Sequence, residues 1–318
     1  MNDGENVPHI PVLPEETCRA AMPWSSGVKR VIDGTVGFGG HSSLILQRNP
    51  DAELLGIDRD ESALAFSRKR LGSGATLVYG NFSELAEKAA EHGWNKVDSI
   101  LLDIGVSSYQ IDTPERGFSY RFDAPLDMRM DRTGNRITAA DVVNTWSEQD
   151  LARIFRDYGE IREAKRLARA IVREREKEAI TTCGRLAAVC ESVFPSRRGG
   201  PPAPTLPFQA IRIEVNRELD ELKNALSSAV ELLNPGGRLT VISFHSLEDR
   251  IVKRFFAEMA ADCKCPPGCP VCICAWKPLL RILTKHPVTA SEAELAENSR
   301  SACARMRCAE RTENNITE

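Results

Sequence analysis

The chain has 318 residues, longer than one average domain, so we expect two domains or one large domain with an insertion. Hydrophobic residues make up 42% of it, enough for a substantial core, and the formal net charge of -3 argues against indiscriminate binding to nucleic acid. The polar, acidic N-terminal sequence and the lack of a long apolar run favour a soluble, cytoplasmic protein without a signal peptide or membrane span.

The first distinctive stretch runs from Val31 to Leu46 and reads VIDGTVGFGGHSSLIL. Its β-branched start, its glycines and its apolar-periodic end predict a strand, a tight turn and a helix. Glycines let the backbone adopt positive φ and let a ligand approach closely, and the first N–H groups of the helix face the turn. We interpret this stretch as a cofactor site, and the alternative is an ordinary turn without a ligand.

A second predicted strand, ELLGID, ends at Asp58, 25 residues after Asp33. A carboxylate at the tip of the second strand is well placed to bind the two hydroxyls of a ribose. The glycine turn does not match the dinucleotide pattern G-x-G-x-x-G, and the acidic Asp33 before it would repel a pyrophosphate. Asp33 would instead suit the cationic amino-acid end of S-adenosylmethionine.

Strands and helices alternate along the first third of the chain, which predicts an α/β fold with a doubly wound, mostly parallel sheet. The alternation stops after Asp103, helical patterns dominate 114–214, and the α/β pattern then resumes. We therefore predict a discontinuous domain of 1–113 and 215–318 with an inserted helical domain of 114–214. Strands are predicted at 28–33, 53–58, 76–79, 98–103, 238–244, 280–283 and 303–311, and helices at 14–21, 41–49, 61–71, 83–92, 217–233 and 247–259.

The predicted insertion carries an excess of basic residues, with 13 Lys and Arg against 7 Asp and Glu between 151 and 212. A basic face on an otherwise acidic protein is what a specific anionic substrate requires. A solvated helix face with i,i+4 ion pairs explains the same pattern equally well. Within this segment the Pro-rich stretch 195–207 predicts a flexible loop.

Five of the ten cysteines lie close together in the sequence CKCPPGCPVCIC. C-x-C and C-x-x-C spacings beside Pro and Gly are typical of tetrahedral zinc–thiolate sites. In a chain without an export signal we disfavour a disulfide framework and expect free thiols and no metal, with a structural zinc ion as the alternative. The five are Cys263, Cys265, Cys269, Cys272 and Cys274.

Seven motifs, spread from His9 to about Arg311, resemble the MraW/RsmH family: HIPVLPEE, DGTVGFGGHS, GIDRD, LLDIGVSSYQIDTPERGFSYRFDAPLDMRMD, FQAIRIEVNRELDEL, PGGRLTVISFHSLEDRIVKRF and ELAEN. The resemblance implies a class I methyltransferase (Rossmann-like) fold with an inserted, substrate-recognising helical domain. It further implies methyl transfer from S-adenosylmethionine to the N4 amine of a cytosine in the decoding region of 16S rRNA of the small ribosomal subunit. It leaves a homodimer open.

The resemblance also implies roles for individual residues. The methionine end of S-adenosylmethionine is expected at the FGGHS motif, the ribose at Asp58, and the adenine against Phe82. Plainer alternatives are a helix-start residue for His41, a core residue for Phe82 and a helix cap for His245. The implied cofactor-binding residues are Gly39, Gly40, His41, Asp58, Phe82, Asp103 and Gln110, and the implied catalytic residues are Asp103 and His245.

The cytosine amine is a poor nucleophile because its lone pair is delocalised into the ring, so we expect Asp103 to accept its proton and to help align it in line with the methyl group. The D/N-P-P-Y/F turn of many amine methyltransferases is replaced here by DIGV, which leaves Tyr109, Phe118 and His245 as candidates for contact with the base.

Two further sequence features are open to more than one interpretation. DMRMD, Asp127–Asp131, either gates the cleft or forms a salt-bridged loop. Thr205, Leu206 and Pro207 stand where the family commonly has Thr-Arg-Thr, so one expected basic contact is missing. Two other functions remain open: a cofactor-binding assembly factor without turnover, and an amine methyltransferase acting on DNA or protein.

Overall fold

A computed structural model describes residues 10–22, 29–194, 201–265, 271 and 273–314. The chain divides into two compact units. The first unit combines Met1–Gly105 with Leu219–Glu318, and the second is Val106–Glu218. The second unit contains the whole segment predicted as an insertion, so the chain leaves the first unit after Gly105 and returns to it at Leu219.

Among the described residues, the first unit contains a seven-stranded sheet in the order β3-β2-β1-β4-β5-β7-β6. The first five strands are parallel, and β7 runs antiparallel to both of its neighbours. The prediction of an α/β, class I methyltransferase fold with a mostly parallel sheet is confirmed. The strands are β1 Arg30–Asp33, β2 Glu53–Asp58, β3 Ala75–Tyr79, β4 Val97–Asp103, β5 Leu233–Ser243, β6 Leu280–Ile282 and β7 Arg305–Arg311.

The helices follow the sequence patterns closely, and none in the described part of the chain is both long and apolar enough to cross a bilayer. They are α1 Pro14–Ala21, α2 Gly40–Arg48, α3 Glu61–Leu71, α4 Leu85–Glu91, α5 Ser108–Asp112, α6 Ala139–Thr145, α7 Glu148–Asp157, α8 Ala164–Arg175, α9 Cys183–Val193, α10 Thr205–Asn216, α11 Glu218–Leu232, α12 Ser246–Met259 and α13 Glu292–Glu297.

The sheet of the first unit has a hydrophobic cluster on each face. Leu55 and Leu102 belong to one cluster, whereas their neighbours Leu54 and Leu101 belong to the other. Successive side chains of a strand point to opposite faces, so both faces of β2 and β4 are covered. This burial explains why these strands read as continuous apolar runs in the sequence.

Strand β5 begins earlier than predicted. Leu233 pairs with Val97 and Arg238 pairs with Ser99, so the NPGG segment between them is an irregularity within the strand. Gly236 takes a positive φ of 80° there, which glycine tolerates because it has no Cβ. The NPGG segment therefore does follow the end of a helix, as predicted, but it forms an irregularity within β5 and not a separate loop.

The second unit is helical and has its own core, with Phe155, Leu167, Leu186 and Ile211 fully buried. A loop was predicted at 195–207, of which 195–200 lie outside the described residues. The prediction is wrong for 205–207, because α10 begins at Thr205. Pro207 stands in the first turn of this helix, where its missing N–H has no intrahelical partner to lose.

Strand β7 is tied to α12 by an ion pair in the interior of the first unit. Arg307 Nε donates to Asp249 Oδ1 at 2.6 Å and its Nη2 donates to Oδ2 at 3.1 Å, with the two side chains 8% and 11% exposed. Such a two-pronged pair satisfies both carboxylate oxygens. Removing one partner would leave the other charge buried.

We expect Arg307→Met to lower the free energy of unfolding by about 3 kcal/mol, because the Asp249 carboxylate would lose its main counter-charge. Arg281→Met is the matched control: Arg281 pairs with Glu310 on the same sheet edge but is 68% exposed, so a loss of less than about 1 kcal/mol is expected. Urea denaturation measures both values. Equal losses in the two variants would contradict a structural role for the buried pair.

Candidate cofactor and catalytic site

Three neighbouring parallel strands of the first unit each end in an aspartate, at the same end of the sheet. Strand β1 ends at Asp33, β2 at Asp58 and β4 at Asp103. The register pairs Asp33 with Gly56 and with Leu101, so the other two aspartates extend two residues beyond it on either side. Ligands of open α/β sheets bind at the carboxyl ends of such strands. The three carboxylates therefore lie at the same end of the sheet.

The glycine turn after β1 is fastened to the neighbouring strand. Gly37 and Gly39 take positive φ values of 50° and 73°, a region that favours glycine. The Gly37 N–H donates to Asp58 Oδ2 at 2.8 Å, and the Gly37 carbonyl accepts a hydrogen bond from Ser67 Oγ at 2.6 Å. A Cβ at Gly39 would lie 3.2 Å from this hydroxyl, so the turn is packed as well as hydrogen-bonded.

Asp58 keeps hydrogen-bonding capacity for a ligand. Besides the Gly37 contact, its Oδ1 accepts the Asp60 N–H at 2.8 Å. A carboxylate offers about four lone-pair positions, so each oxygen can still accept one further donor. Burial raises the pKa of Asp58 from 3.8 to about 6, although the two N–H donors act in the opposite direction. The fold thus keeps this carboxylate at the end of β2 at a cost in desolvation, and its predicted contact with a ribose stays a prediction.

Asp33 is more deeply buried and its contacts are internal. Its Oδ2 accepts from Ser42 Oγ at 2.6 Å and its Oδ1 from the Thr35 N–H at 3.2 Å. Burial raises its pKa, and these two donors with nearby His41 counteract part of the effect. Ser42 lies in the first turn of α2, so Asp33 fixes the start of this helix against the end of β1.

Asp103 and His41 face each other in the first unit. His41 Nε2 lies 3.4 Å from Asp103 Oδ2, and their side chains are 6% and 19% exposed. Within the part of the chain that the structure describes, both ring nitrogens of His41 and Asp103 Oδ1 are buried without a hydrogen-bond partner. The pair is close enough for attraction but not aligned for a hydrogen bond. Buried polar atoms of this kind call for a ligand or water.

Thr35, which the sequence analysis did not select, positions Asp103. Its Oγ1 accepts the Asp103 N–H at 2.7 Å. The threonine lies directly after the Asp-Gly pair that opens the glycine turn, so the turn holds the backbone of β4 as well as β2. A hydroxyl residue inside a glycine-rich turn was the available sequence signal.

Gly40 and Phe82 are placed by packing. A Cβ on Gly40 would lie 3.2 Å from Pro11 Cβ, and one on Gly34 would lie 3.3 Å from Phe82 Cβ. Phe82 begins a 3-10 turn after β3, is 8% exposed and belongs to a hydrophobic cluster. This is the core position named as its alternative, and its contact with an adenine stays a prediction.

His245 follows β5, the neighbour of β4, and caps α12. Its Nδ1 accepts the Glu248 N–H at 3.4 Å, and its Nε2 lies 3.1 Å from Glu248 Oε1. The capping alternative is therefore what the structure displays. A catalytic or substrate contact for His245 stays a prediction, and the capping box would hold its ring in one orientation for such a contact.

The DIGV turn after β4 is filled by an aromatic ring. Gly105 has a φ of 119°, and a Cβ there would lie 3.3 Å from Phe244 Cδ2. A bulkier residue at Gly105 would collide with this ring. The second proline of the D/N-P-P-Y/F turn thus corresponds here to a glycine packed against Phe244.

Gln110 lies in the second unit, where it takes part in a reciprocal cap at the start of α5. The Gln110 N–H donates to Ser107 Oγ at 3.2 Å, and the Ser107 N–H donates to Gln110 Oε1 at 3.1 Å. This cap fixes the buried amide side chain. Its predicted part in cofactor binding stays a prediction.

DMRMD in the second unit forms a salt-bridged loop, the second of its two interpretations. Arg129 Nε donates to Asp127 Oδ1 at 2.7 Å, and Nη2 donates to Oδ2 at 2.9 Å. Asn216 Nδ2 donates to the Met128 carbonyl at 2.8 Å, and Met128 adopts a positive φ of 61°. Asn216, at the end of α10, was missed because nothing in the sequence links it to a loop 88 residues away.

A family model described as the MraW methylase family matches residues 6–312. A protein of Symbiobacterium thermophilum is 50% identical over 306 residues, covering 94% of this chain and 95% of that protein. One of Oleidesulfovibrio alaskensis is 48% identical over 319 residues, covering 98% and 97%. One of Heliobacterium modesticaldum is 48% identical over 311 residues, covering 95% and 98%. All three are named Ribosomal RNA small subunit methyltransferase H.

The raised pKa of Asp58 predicts a pH-dependent difference between the protein and its Asp58→Asn variant. Between the unfolded value of 3.8 and the folded value of about 6, the folded state binds more protons, so wild-type stability falls as pH rises through this window. The variant lacks this titration. The difference between its free energy of unfolding and that of wild type should therefore rise from pH 4 to pH 6 and stay constant at higher pH.

Urea denaturation at a series of pH values measures this difference. Asp51→Asn removes an exposed carboxylate just before β2 and serves as the control. If the difference in free energy of unfolding between Asp58→Asn and wild type does not change from pH 4 to pH 6, burial does not raise the pKa of Asp58.

Proposed function

Because the chain belongs to the MraW methylase family, we propose that it transfers a methyl group from S-adenosylmethionine to the N4 amine of a cytosine in the decoding region of 16S rRNA. The relatives quoted above are named for methylation of small-subunit ribosomal RNA. The observation that carries the chemical part of the proposal is the pair of His41 and Asp103, with buried polar atoms that lack partners among the described residues.

The carboxyl edge of the sheet fits S-adenosylmethionine. Asp58 can accept two ribose hydroxyls, and the positive-φ glycines Gly37 and Gly39 keep the turn free of side chains. His41, at the start of α2, adds a ring whose nitrogens have no hydrogen-bond partner among the described residues. S-adenosylmethionine supplies, when bound, an electrophilic methyl group on a positively charged sulfur. A carboxylate-lined edge favours such a cation.

Asp103 is proposed to activate the acceptor. An arylamine reacts only when its lone pair is freed from the ring, and a carboxylate that accepts a hydrogen bond from the N–H group favours that change. Oδ1 of Asp103 is available for this contact, while Thr35 holds the backbone and His41 lies beside Oδ2. Methyl transfer forms the N–CH₃ bond as the S–CH₃ bond breaks, and Asp103 takes the proton that the amine loses.

A basic face of α8 in the second unit is proposed to bind the RNA backbone. Arg162 precedes the helix, and Lys165, Arg166 and Arg173 follow at helical spacing, all exposed. Among the described residues these four make no ion pair, whereas Arg169 on the same face pairs with Glu148 at 3.5 Å. Exposed cations of this kind neutralise phosphates. The target base must also leave its stack to reach a pocket.

A second candidate function is a cofactor-binding ribosome assembly factor without turnover, and a third is amine methylation of DNA or protein. The capping role of His245, which accounts for its side chain without a catalytic contact, favours the second. The third differs from the proposal only in the molecule that is methylated. Labelled S-adenosylmethionine with small subunits, naked 16S rRNA, duplex DNA or total ribosomal protein separates the three. Label in RNA alone supports the proposal, and label in none of them supports the assembly factor.

We expect Asp103→Asn to reduce the rate of methyl transfer at least a hundredfold, because the amide keeps the shape but loses the charge and proton affinity of the carboxylate. The affinity for S-adenosylmethionine, measured by calorimetry, should change less than about tenfold, because Asp58 and the glycine turn are untouched. Single-turnover transfer of labelled methyl to small subunits measures the rate.

Ser99→Ala, in the interior of the same strand, is the matched control, because it changes a buried side chain of β4 without touching the strand's end. Methyl transfer by Asp103→Asn at the wild-type rate would rule out the proposed role of this carboxylate. Loss of cofactor affinity together with transfer would reassign it to binding.

We expect the double variant Lys165→Glu/Arg166→Glu to weaken binding to 16S rRNA by roughly tenfold or more. The slope of log affinity against log salt concentration should fall by the amount expected for the loss of about two phosphate contacts. The affinity for S-adenosylmethionine should stay unchanged. Lys253→Glu/Arg254→Glu, an exposed Lys-Arg pair on α12, is the matched control. Filter binding over a salt series measures both, and equal effects of the two double variants would contradict a specific role for α8.

A further inference from the structure

Three cysteine thiols come together between α12 and β6 in the first unit. The Sγ atoms of Cys263, Cys265 and Cys274 all lie within 4.8 Å of one another. The Cys263 and Cys274 sulfurs are 3.7 Å apart. Two sulfurs of a tetrahedral zinc site with Zn–S bonds of about 2.3 Å lie about 3.8 Å apart, whereas a disulfide bond is about 2.05 Å long. The spacing therefore matches shared coordination of one ion.

Each of the three sulfurs accepts a backbone N–H. Cys265 N donates to Cys263 Sγ at 3.2 Å, Lys264 N donates to Cys274 Sγ at 3.4 Å, and Ile273 N donates to Cys265 Sγ at 3.4 Å. Backbone N–H groups around metal-bound thiolates orient and stabilise them in the same way.

The surrounding chain is anchored at both ends of the cluster. Leu279 N donates to the carbonyl of Met259, the last residue of α12, at 2.8 Å, and Trp276 Nε1 donates to the Ala261 carbonyl at 2.9 Å. Lys264 Nζ lies 3.6 Å above the Trp276 ring. The cysteines thus sit on a segment whose backbone is already brought together, as a metal site requires.

From these contacts we propose that Cys263, Cys265 and Cys274 bind one zinc ion. Soft thiolate ligands select zinc over magnesium or calcium, and three of them fill all but one position of its tetrahedron. Cys269 and Cys272, which lie outside the described residues, are not part of the proposed set. The sequence alone favoured free thiols at these positions, with zinc as the alternative, and the proposal adopts that alternative.

The proposed zinc is structural and separate from methyl transfer. Helix α12 starts just after the carboxyl end of β5 and has 14 residues, so its far end lies about 21 Å further along the helix axis. The cysteines follow that far end and precede β6, which begins at the amino end of the parallel strands, whereas Asp103 lies at their carboxyl end. The ion would fix the connection from α12 to β6.

Binding is a ligand exchange without electron transfer. Each thiol releases one proton as its sulfur binds zinc, and the ion loses water molecules in return. A disulfide between two of these cysteines would need an oxidant to accept two electrons and two protons. A reducing cell interior therefore favours the metal over the disulfide.

The test is the zinc content of the full-length protein, expressed with zinc in the medium and analysed by plasma mass spectrometry after desalting. We expect about one zinc per chain in the wild type and less than about a fifth of that in Cys265→Ser, because losing one of three thiolates removes most of the affinity. Cys274→Ser should behave in the same way. Cys303→Ser replaces an exposed cysteine outside the cluster and should keep full zinc.

A second measurement covers variants that fold poorly. Hydrogen exchange of wild type with and without a zinc chelator should show faster exchange confined to about residues 260–279 in the chelated sample. Wild type that stays metal-free after incubation with zinc chloride would overturn the proposal. So would equal zinc in Cys265→Ser and wild type, or an intact mass about 2 Da low from a disulfide.

Discussion

The hydrogen bond from the Gly37 N–H to Asp58 Oδ2 is the contact on which the site depends. It joins the glycine turn after β1 to the tip of β2, and it occupies only part of the carboxylate's capacity. Burial raises the pKa of this group, so the fold keeps a costly charge in place. Sites that hold an unfavourable charge in this way trade stability for binding. Thr35 in the same turn accepts the Asp103 N–H, so this one turn links the ends of β1, β2 and β4.

The sheet could be predicted from the sequence because its signals are local. Continuous apolar runs, glycine turns and aspartates at strand ends gave the positions of β1, β2 and β4 to within two residues. The irregularity inside β5 was not predictable, because NPGG stops a helix and bends a strand with the same residues. The start of α10 at Thr205 was missed because prolines in a first helical turn resemble those of a loop.

The contacts that orient the site were harder to predict than its residues. Asp103 and His41 were both selected, but their 3.4 Å approach and their buried, partnerless atoms depend on packing across the sheet edge. Asn216 supports DMRMD through contacts between residues far apart in the chain, which no spacing rule reveals. For His245 and Phe82 the plainer alternatives describe what their side chains do in the structure. A contact of His245 or Phe82 with a ligand would come in addition to these structural roles.

Strand β7 lies between β5 and β6 in the sheet, although it comes last of the seven strands in the sequence. During synthesis on the ribosome, β1 to β5 emerge first, yet the sheet lacks its antiparallel member until residues 305–311 are available. Until then β5 has an open edge and Asp249 lacks the charge of Arg307. The sheet of the first unit is therefore completed only after residues 305–311 have been synthesised, long after its first five strands.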